Sequence, residues 1–178
     1  MSTRFLTGQR LTADLLNANI ADWMPVTYTK SASTARNTTT TLADDPELQG
    51  IALAVGTYEI ELLLFYTQTT TNTQDLKTRW AFSGTWNNSD RVISGISTAS
   101  TASANATTEV NMAGTQASGQ DAIYGGPATV IYNSAREISR NVVVTVAGNL
   151  SLQWAQNASS GNNTTVHGGT CFNIRKIA

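Results

Sequence analysis

Apolar and polar residues alternate along most of this chain, which is the pattern of half-buried β-strands. The longest such run lies between residues 56 and 68, where one face of the predicted strand carries Tyr58, Ile60, Leu62, Leu64 and Tyr66. The opposite face carries Glu59, Glu61, Leu63 and Phe65. The pattern therefore predicts a strand that begins half-exposed and becomes buried on both faces.

The same alternation predicts further strands at residues 26–29, 76–82, 138–146, 150–155 and 170–177, with Gly148 and Asn149 as a turn. Residues 83–125 are rich in Ser, Thr, Ala, Gly and Asn. We expect long ordered loops there, with short strands near 92–96 and 107–112, and another near 129–132. About eight strands with no second helical pattern predict an all-β fold, a jelly-roll-like β-sandwich over residues 25–178.

Residues 1–24 differ from the rest because their apolar residues recur at helical spacing. Thr12 can cap a short amphipathic helix, Asp14 lies in its first turn, and Pro25 ends it. Such a short helix is marginal alone. It packs either on its own domain or on another chain, and we favour docking because the following domain has enough apolar residues for its own core. The predicted docking face is Phe5, Leu11, Leu15, Leu16, Ile20 and Trp23.

The composition of the chain argues against several classes of function. Only 13% of the 178 residues are charged and the net charge is −1. No basic patch is visible, so capture of nucleic acid is not expected. No apolar run approaches the ~20 residues that span a bilayer, and the N-terminus has no signal-peptide pattern, so we expect no membrane insertion. Cys171 is the single cysteine, which predicts no disulfide within the chain.

Residues that could carry chemistry are few. His167 is the only histidine, and no Gly-x-Ser-x-Gly motif accompanies it. One Cys and one His are too few for zinc within one chain, which leaves a metal shared on a three-fold axis as an alternative. The acid pairs Glu59 with Glu61 and Asp44 with Asp45 are expected to be solvated. Their alternatives are a polysaccharide-cleaving site across subunits and a calcium site. We expect no catalytic residue, cofactor or metal.

Trp86 is the one tryptophan expected in a loop, followed by Asn87 and Asn88. An exposed indole beside amide side chains can stack on a sugar ring, which makes these three residues a candidate ligand site. The alternative is that Trp86 closes the end of the core.

The opening pattern Phe5-x-x-Gly8-x-x-Leu11-Thr12-Ala13-x-x-Leu16-Asn17 resembles the N-terminal signature of minor tail and tail-fibre proteins of tailed bacteriophages. The body resembles small structural proteins of actinobacteriophages. The segments that carry this resemblance are Ala54-x-Gly56-Thr57-Tyr58-Glu59-Ile60, Leu64-x-Tyr66, Asp75-Leu76-Lys77-x-Arg79-Trp80, Leu152-Gln153-Trp154-Ala155-Gln156-Asn157 and Cys171-Phe172-x-Ile174-Arg175-Lys176-Ile177-Ala178.

The resemblance implies a non-enzymatic virion structural protein. Residues 1–24 would attach it to other virion proteins of the tail, baseplate or capsid. The body would be a homotrimer facing outward, with a viral or tumour-necrosis-factor-like jelly roll. A minor tail or fibre protein and a capsid decoration protein both fit. The alternative is a carbohydrate- or receptor-binding module that uses the loops of 83–125 to contact a host-surface glycan.

Overall fold

The computed structural model describes residues 10, 12–14, 24–69, 74–96, 98, 110–116, 119–126 and 132–178. These residues form two antiparallel sheets, so the predicted all-β class is confirmed. Ala13 and Asp14 have helical backbone. The rest of the predicted N-terminal helix, with the docking residues Phe5, Leu11, Leu15, Leu16, Ile20 and Trp23, lies outside the described residues.

Fourteen strands are found in the described part of the chain, where about eight were predicted. Their bounds are β1 Val26–Thr29, β2 Thr34–Arg36, β3 Ala43–Asp44, β4 Ile51–Leu53, β5 Gly56–Gln68, β6 Leu76–Phe82, β7 Thr85–Asn87, β8 Arg91–Ile96, β9 Val110–Gln116, β10 Ala122–Tyr124, β11 Asn133–Val146, β12 Gly148–Gln156, β13 Thr164–Val166 and β14 Cys171–Lys176.

The larger sheet has nine of these strands and the central order β1-β14-β5-β11-β8-β9. β13 pairs with the same edge of β5 as β14 does, and β2 pairs with β13. β7 pairs with β11. In the first pair of this order, Val26 of β1 lies opposite Ile174 of β14. The smaller sheet has five strands, in the order β10-β6-β12-β3, with β4 also paired to β12. The first and last strands of the domain are therefore neighbours.

The core lies between the two sheets. Trp80 of β6 meets Phe172 of β14 edge-on, with ring centroids 5.5 Å apart. The Tyr66 hydroxyl donates a hydrogen bond to the Gly125 carbonyl oxygen at 2.5 Å. Both contacts join one sheet to the other. Each large apolar side chain buried in this layer contributes about 1.5–3 kcal/mol.

The inward face predicted for the longest run is confirmed, since Tyr58, Ile60, Leu62, Leu64 and Tyr66 are all buried. The expectation that this strand becomes buried on both faces is wrong. Leu63 and Phe65 stay half-buried, because they share the face of β5 that points away from the smaller sheet.

Gly148 and Asn149 do not form the predicted turn. β12 begins at Gly148, and Ala147 alone separates it from β11. A Cβ atom on Gly148 would lie 2.2 Å from the backbone nitrogen of Gly84. Glycine is therefore required here for a close approach of two chain segments.

Residues 83–125 hold more strand than expected. The strand predicted at 92–96 is β8, and the one predicted at 107–112 overlaps β9, which begins at Val110. β7 and β10 were not predicted, since three residues are too few to show alternation. Of the strand predicted at 129–132, residues 129–131 lie outside the described residues.

A buried ion pair connects this region to both sheets. The Arg91 guanidinium contacts the Glu137 carboxylate at 2.7 Å, with both side chains almost fully buried. Glu137 also accepts hydrogen bonds from Thr78 at 2.6 Å and Tyr124 at 3.0 Å. The carboxylate thus joins β6, β8, β10 and β11, and it fixes the start of β8.

A second buried ion pair joins Lys30 to Asp45. The Lys30 ammonium group contacts the Asp45 carboxylate at 3.1 Å, and neither side chain is exposed. Asp45 also accepts hydrogen bonds from the Trp154 indole at 3.1 Å and from the backbone N–H groups of Glu47 and Leu48. It therefore joins the segment after β1 to the smaller sheet.

Candidate functional site

The structure places Trp86, Asn87 and Asn88 together in one open groove of about 640 Å³. Ser89, Asp90 and Val143 complete its lining. The three residues singled out as a candidate ligand site therefore do share one surface. Their binding of a ligand remains a prediction.

The groove forms at a break along one edge of β11. β7 pairs with the end of that strand, where Val143 lies opposite Asn87, and β8 pairs further back, where Ile138 lies opposite Val92. Between these two partners, residues 88–90 are not paired with β11 and form a loop. The register of β11 against β5 shifts between Ser139 and Val142, which bends the strand at the same level.

The loop 88–90 is fixed from below by Ser139. This buried hydroxyl donates a hydrogen bond to the Asp90 carbonyl oxygen at 2.8 Å and lies 3.5 Å from the Asn88 carbonyl oxygen. Asn88 has a φ of 54°, in the left-handed region that asparagine adopts more readily than most residues. The bulged strand therefore holds both ends of the loop.

Trp86 lies between the two situations considered from the sequence, a surface residue that can stack on a ligand and a residue that closes the end of the core. Its indole stacks on the Phe82 ring, with centroids 4.7 Å apart and planes 19° from parallel. Both rings pack against the core cluster. Trp86 is half-buried and also lines the groove, so it closes the core on one side and borders the open surface on another.

Ser89 is the least expected member of the site. It is buried, 3% exposed, and its hydroxyl has no hydrogen-bond partner. An unpaired buried polar group costs about 1–3 kcal/mol, so it is rare in a well-packed interior. Ser89 was not predicted from the sequence, where it is only one of several consecutive polar residues. Val143, which lies on a strand far away in the chain, was not predicted either.

The carboxylates Glu59 and Glu61 lie on the outer face of β5 and are not among the residues that line the groove. Glu59 contacts Arg140 at 2.9 Å and also Arg175, and Glu61 contacts Arg136. Each of these acids therefore faces at least one guanidinium group.

Asp44 and Asp45 have different environments. The Asp44 carboxylate accepts a hydrogen bond from the Gln153 amide at 2.9 Å, while Asp45 is buried against Lys30. The expectation that both turn acids are solvated is therefore wrong for Asp45. Within the described ranges, no group of three or more His, Cys, Asp or Glu side chains could hold a metal ion.

His167 lies between two hydroxyl groups. Its Nδ1 is 3.1 Å from the Ser33 hydroxyl, and its Nε2 is 2.9 Å from the Thr67 hydroxyl. The Tyr132 ring meets it edge-on at 4.5 Å. Partial burial lowers the pKa of the imidazole below 6.5. A neutral ring between hydroxyls serves to connect β13 with β5 and the segment before β2.

Comparison with known proteins finds no family and no curated protein that matches this chain. Among the described residues, no helix is long and apolar enough to cross a membrane.

Proposed function

We propose that this protein is a non-enzymatic structural protein of a bacteriophage virion. Residues 1–24 anchor it to the particle, and the β-domain is displayed outward as a homotrimer. The observation that supports the proposal is the exposed apolar surface at the place where these two parts meet. Met24 is 59% exposed, Val26 51% and Tyr28 36%, and every residue of β1 is exposed. Apolar side chains exposed in a row favour a neighbouring chain at that place.

We also propose a jelly-roll topology, which the strand order supports. Eight units follow one another along the chain: β1, β3 with β4, β5, β6, β10, β11, β12 and β14. Numbered in that order, the larger sheet contains 1-8-3-6 and the smaller sheet 2-7-4-5. This order is the one produced by two Greek keys wound together. The hairpin β8–β9 is then an insertion between the fourth and fifth units.

The mechanism is assembly by helix-in-groove recognition, in which the apolar face of residues 11–23 enters a groove on another virion protein. Several copies bound together add avidity, so weak individual contacts suffice. A low content of charged residues also suits a densely assembled surface, because neighbouring copies repel each other little.

The decisive experiment changes two residues of the docking face, Leu16→Asp with Ile20→Asp. We expect a folded β-domain, shown by an unchanged thermal midpoint, that is absent from purified particles. The matched control is Asn17→Asp with Ala21→Asp, which adds the same charge to the face opposite the docking residues and should join particles normally. Normal incorporation of the first variant would refute the anchoring role.

Two further measurements test the remaining parts of the proposal. The mass of the protein in solution should be three times that of one chain, and a monomer would refute the homotrimer. Copy number in purified particles then distinguishes few copies, as in a tail, from the many copies of a capsid decoration protein.

A further inference from the structure

We infer that Lys30 and Asp45 condense to form an isopeptide bond within the chain, with Glu47 as the base. The reaction joins the side-chain nitrogen of Lys30 to the carboxyl carbon of Asp45 and releases one water molecule. All three residues belong to the β-domain, so this inference stands independently of the anchoring role of residues 1–24.

The two reacting groups are already in contact. The Lys30 Nζ atom lies 3.1 Å from Asp45 Oδ1 and 3.1 Å from Asp45 Oδ2. A nitrogen at equal distance from both oxygens faces the carbon between them, which is the atom that it has to attack. Holding reacting atoms about 3–3.5 Å apart removes much of the entropic part of a reaction barrier. Lys30 Nζ also donates a hydrogen bond to the Thr34 hydroxyl at 2.8 Å, which limits its movement.

The pair is shielded from water, since neither side chain is exposed. Burying two opposite charges carries a desolvation cost even when they are paired. An amide has no net charge, so condensation removes that cost. The exclusion of water also protects the product from hydrolysis.

The Asp45 carboxyl group is surrounded by donors that can stabilise the reaction. The backbone N–H groups of Glu47 and Leu48 donate to Oδ1 at 3.0 Å and 3.1 Å. Attack at the carbon moves negative charge onto this oxygen, and N–H donors that are already in place stabilise it there. The Trp154 indole donates to Oδ2 at 3.1 Å and holds the orientation of the carboxyl group.

Glu47 lies where a base is needed. Its Oε1 atom is 3.5 Å from Lys30 Nζ. The Ser31 hydroxyl and the backbone N–H groups of Ser31 and Ala32 donate hydrogen bonds to the same carboxylate and fix its position. It can therefore accept a proton from the attacking nitrogen.

The steps balance without another reactant. One proton passes from Lys30 Nζ to Asp45 Oδ2, which leaves an amine beside a carboxylic acid. The nitrogen lone pair forms the C–N bond, an electron pair moves onto Oδ1, and Glu47 accepts a second proton from the nitrogen. When the carbonyl double bond re-forms, the bond from carbon to Oδ2 breaks. The leaving hydroxide takes the proton back from Glu47 and becomes water.

The other buried ion pair cannot react in this way, because the guanidinium of Arg91 stays protonated and is not a nucleophile. The chain has three lysines. Among them, Lys77 donates to the Thr40 carbonyl oxygen at 2.9 Å on an exposed surface, so it offers a control for Lys30.

The bond gives the first strand a covalent connection to the smaller sheet. β1 pairs only with β14 among the strands of the described residues, and Lys30 directly follows it. Asp45 is held on the smaller sheet, where its backbone N–H donates to the Leu152 carbonyl oxygen at 2.8 Å. Separation of β1 from β14 therefore stops at residue 30.

Mass spectrometry of the denatured full-length protein tests this inference, with Lys30→Arg compared against Lys77→Arg. The two variants have the same amino-acid composition, so without the bond their masses are identical. We expect Lys77→Arg to be lighter than Lys30→Arg by the mass of one water molecule. A tryptic digest of the unaltered protein should contain a branched peptide that holds both Lys30 and Asp45, with no cleavage after Lys30.

Glu47→Gln tests the base, because an uncharged amide cannot accept the proton. We expect bond formation, followed by mass over time after synthesis, to slow about 100-fold or more. An unchanged rate would overturn the role of Glu47. Equal masses for the two lysine variants, or absence of the branched peptide from the folded unaltered protein, would overturn the whole inference and leave Lys30 and Asp45 as an ion pair only. The branched peptide is sought in the unaltered protein, so this result does not depend on whether any variant folds.

Discussion

Arg91 and Glu137 form a 2.7 Å ion pair in which the side chains are 2% and 0% exposed. The pair lies between the sheets, where Thr78 and Tyr124 complete the hydrogen bonding of the carboxylate. Replacing one member of such a pair leaves the other charge buried without compensation.

We expect Glu137→Ala to lower the free energy of unfolding by about 3–5 kcal/mol, because Arg91 would remain buried and unpaired. Glu61→Ala, which breaks a more exposed ion pair with Arg136 on the same sheet, should cost less than about 1 kcal/mol. Urea titrations measure both. Equal costs for the two variants would show that burial of Arg91 does not determine the stability of this region.

Gly148→Ala is expected to destabilise the domain by about 1–3 kcal/mol through overpacking, since the new Cβ would meet the backbone of Gly84 at 2.2 Å. Gly161→Ala is the control, because nothing lies within 4 Å of a Cβ at that position. Thermal unfolding compares them. A neutral result for Gly148→Ala would mean that the two segments can separate without cost.

Glu47 makes stability depend on acid pH. Hydrogen bonds from the Ser31 hydroxyl, and then from the backbone N–H groups of Ser31 and Ala32, lower the pKa of this carboxyl from 4.5 to about 2. The folded state therefore binds the proton less readily than the unfolded state does. The contribution of Glu47 is complete above pH 4.5 and is lost as the pH falls towards about 2.

Urea titrations across this pH range should show a shallower loss of stability for Glu47→Gln than for the unaltered protein. Ser31→Ala removes the largest cause of the shift and should move the transition to higher pH. An identical pH profile for all three proteins would contradict this account of Glu47.

His167 is also expected to make the protein less stable as the pH falls, in a pH range above that of Glu47. Because burial lowers its pKa in the folded state, stability is complete above pH 6.5 and decreases as the pH falls through the folded pKa. The chain has a single histidine, so one imidazole resonance in a nuclear magnetic resonance titration reports this pKa directly. Tyr132→Ala uncovers the ring and should move the pKa back towards 6.5. A titration midpoint at or above 6.5 in the unaltered protein would contradict the burial argument.

The sequence predicted those parts of the fold that local alternation determines. The face of β5 that carries Tyr58, Ile60, Leu62, Leu64 and Tyr66 follows from a period of two residues, and all five side chains are buried. Strands of three residues, such as β7 and β10, are too short to carry a period. Their positions are determined instead by pairing with β11 and β6.

The candidate site could be predicted only in its local part. Trp86, Asn87 and Asn88 are consecutive, so composition alone drew attention to them. Val143 reaches the groove through the pairing of β7 with β11, and Ser139 holds the loop 88–90 from the bulge in β11. The buried pairs Lys30–Asp45 and Arg91–Glu137 were not predicted, because charged residues are usually solvated and their partners are distant in the chain.

Pairing of Val26 with Ile174 has a consequence for synthesis of the protein. β1 is made first, yet its partner in the sheet is made almost last, after nearly the whole domain. The larger sheet therefore closes only after β14 has been made, and contacts of such long range are formed slowly. Until then, β1 remains an unpaired strand.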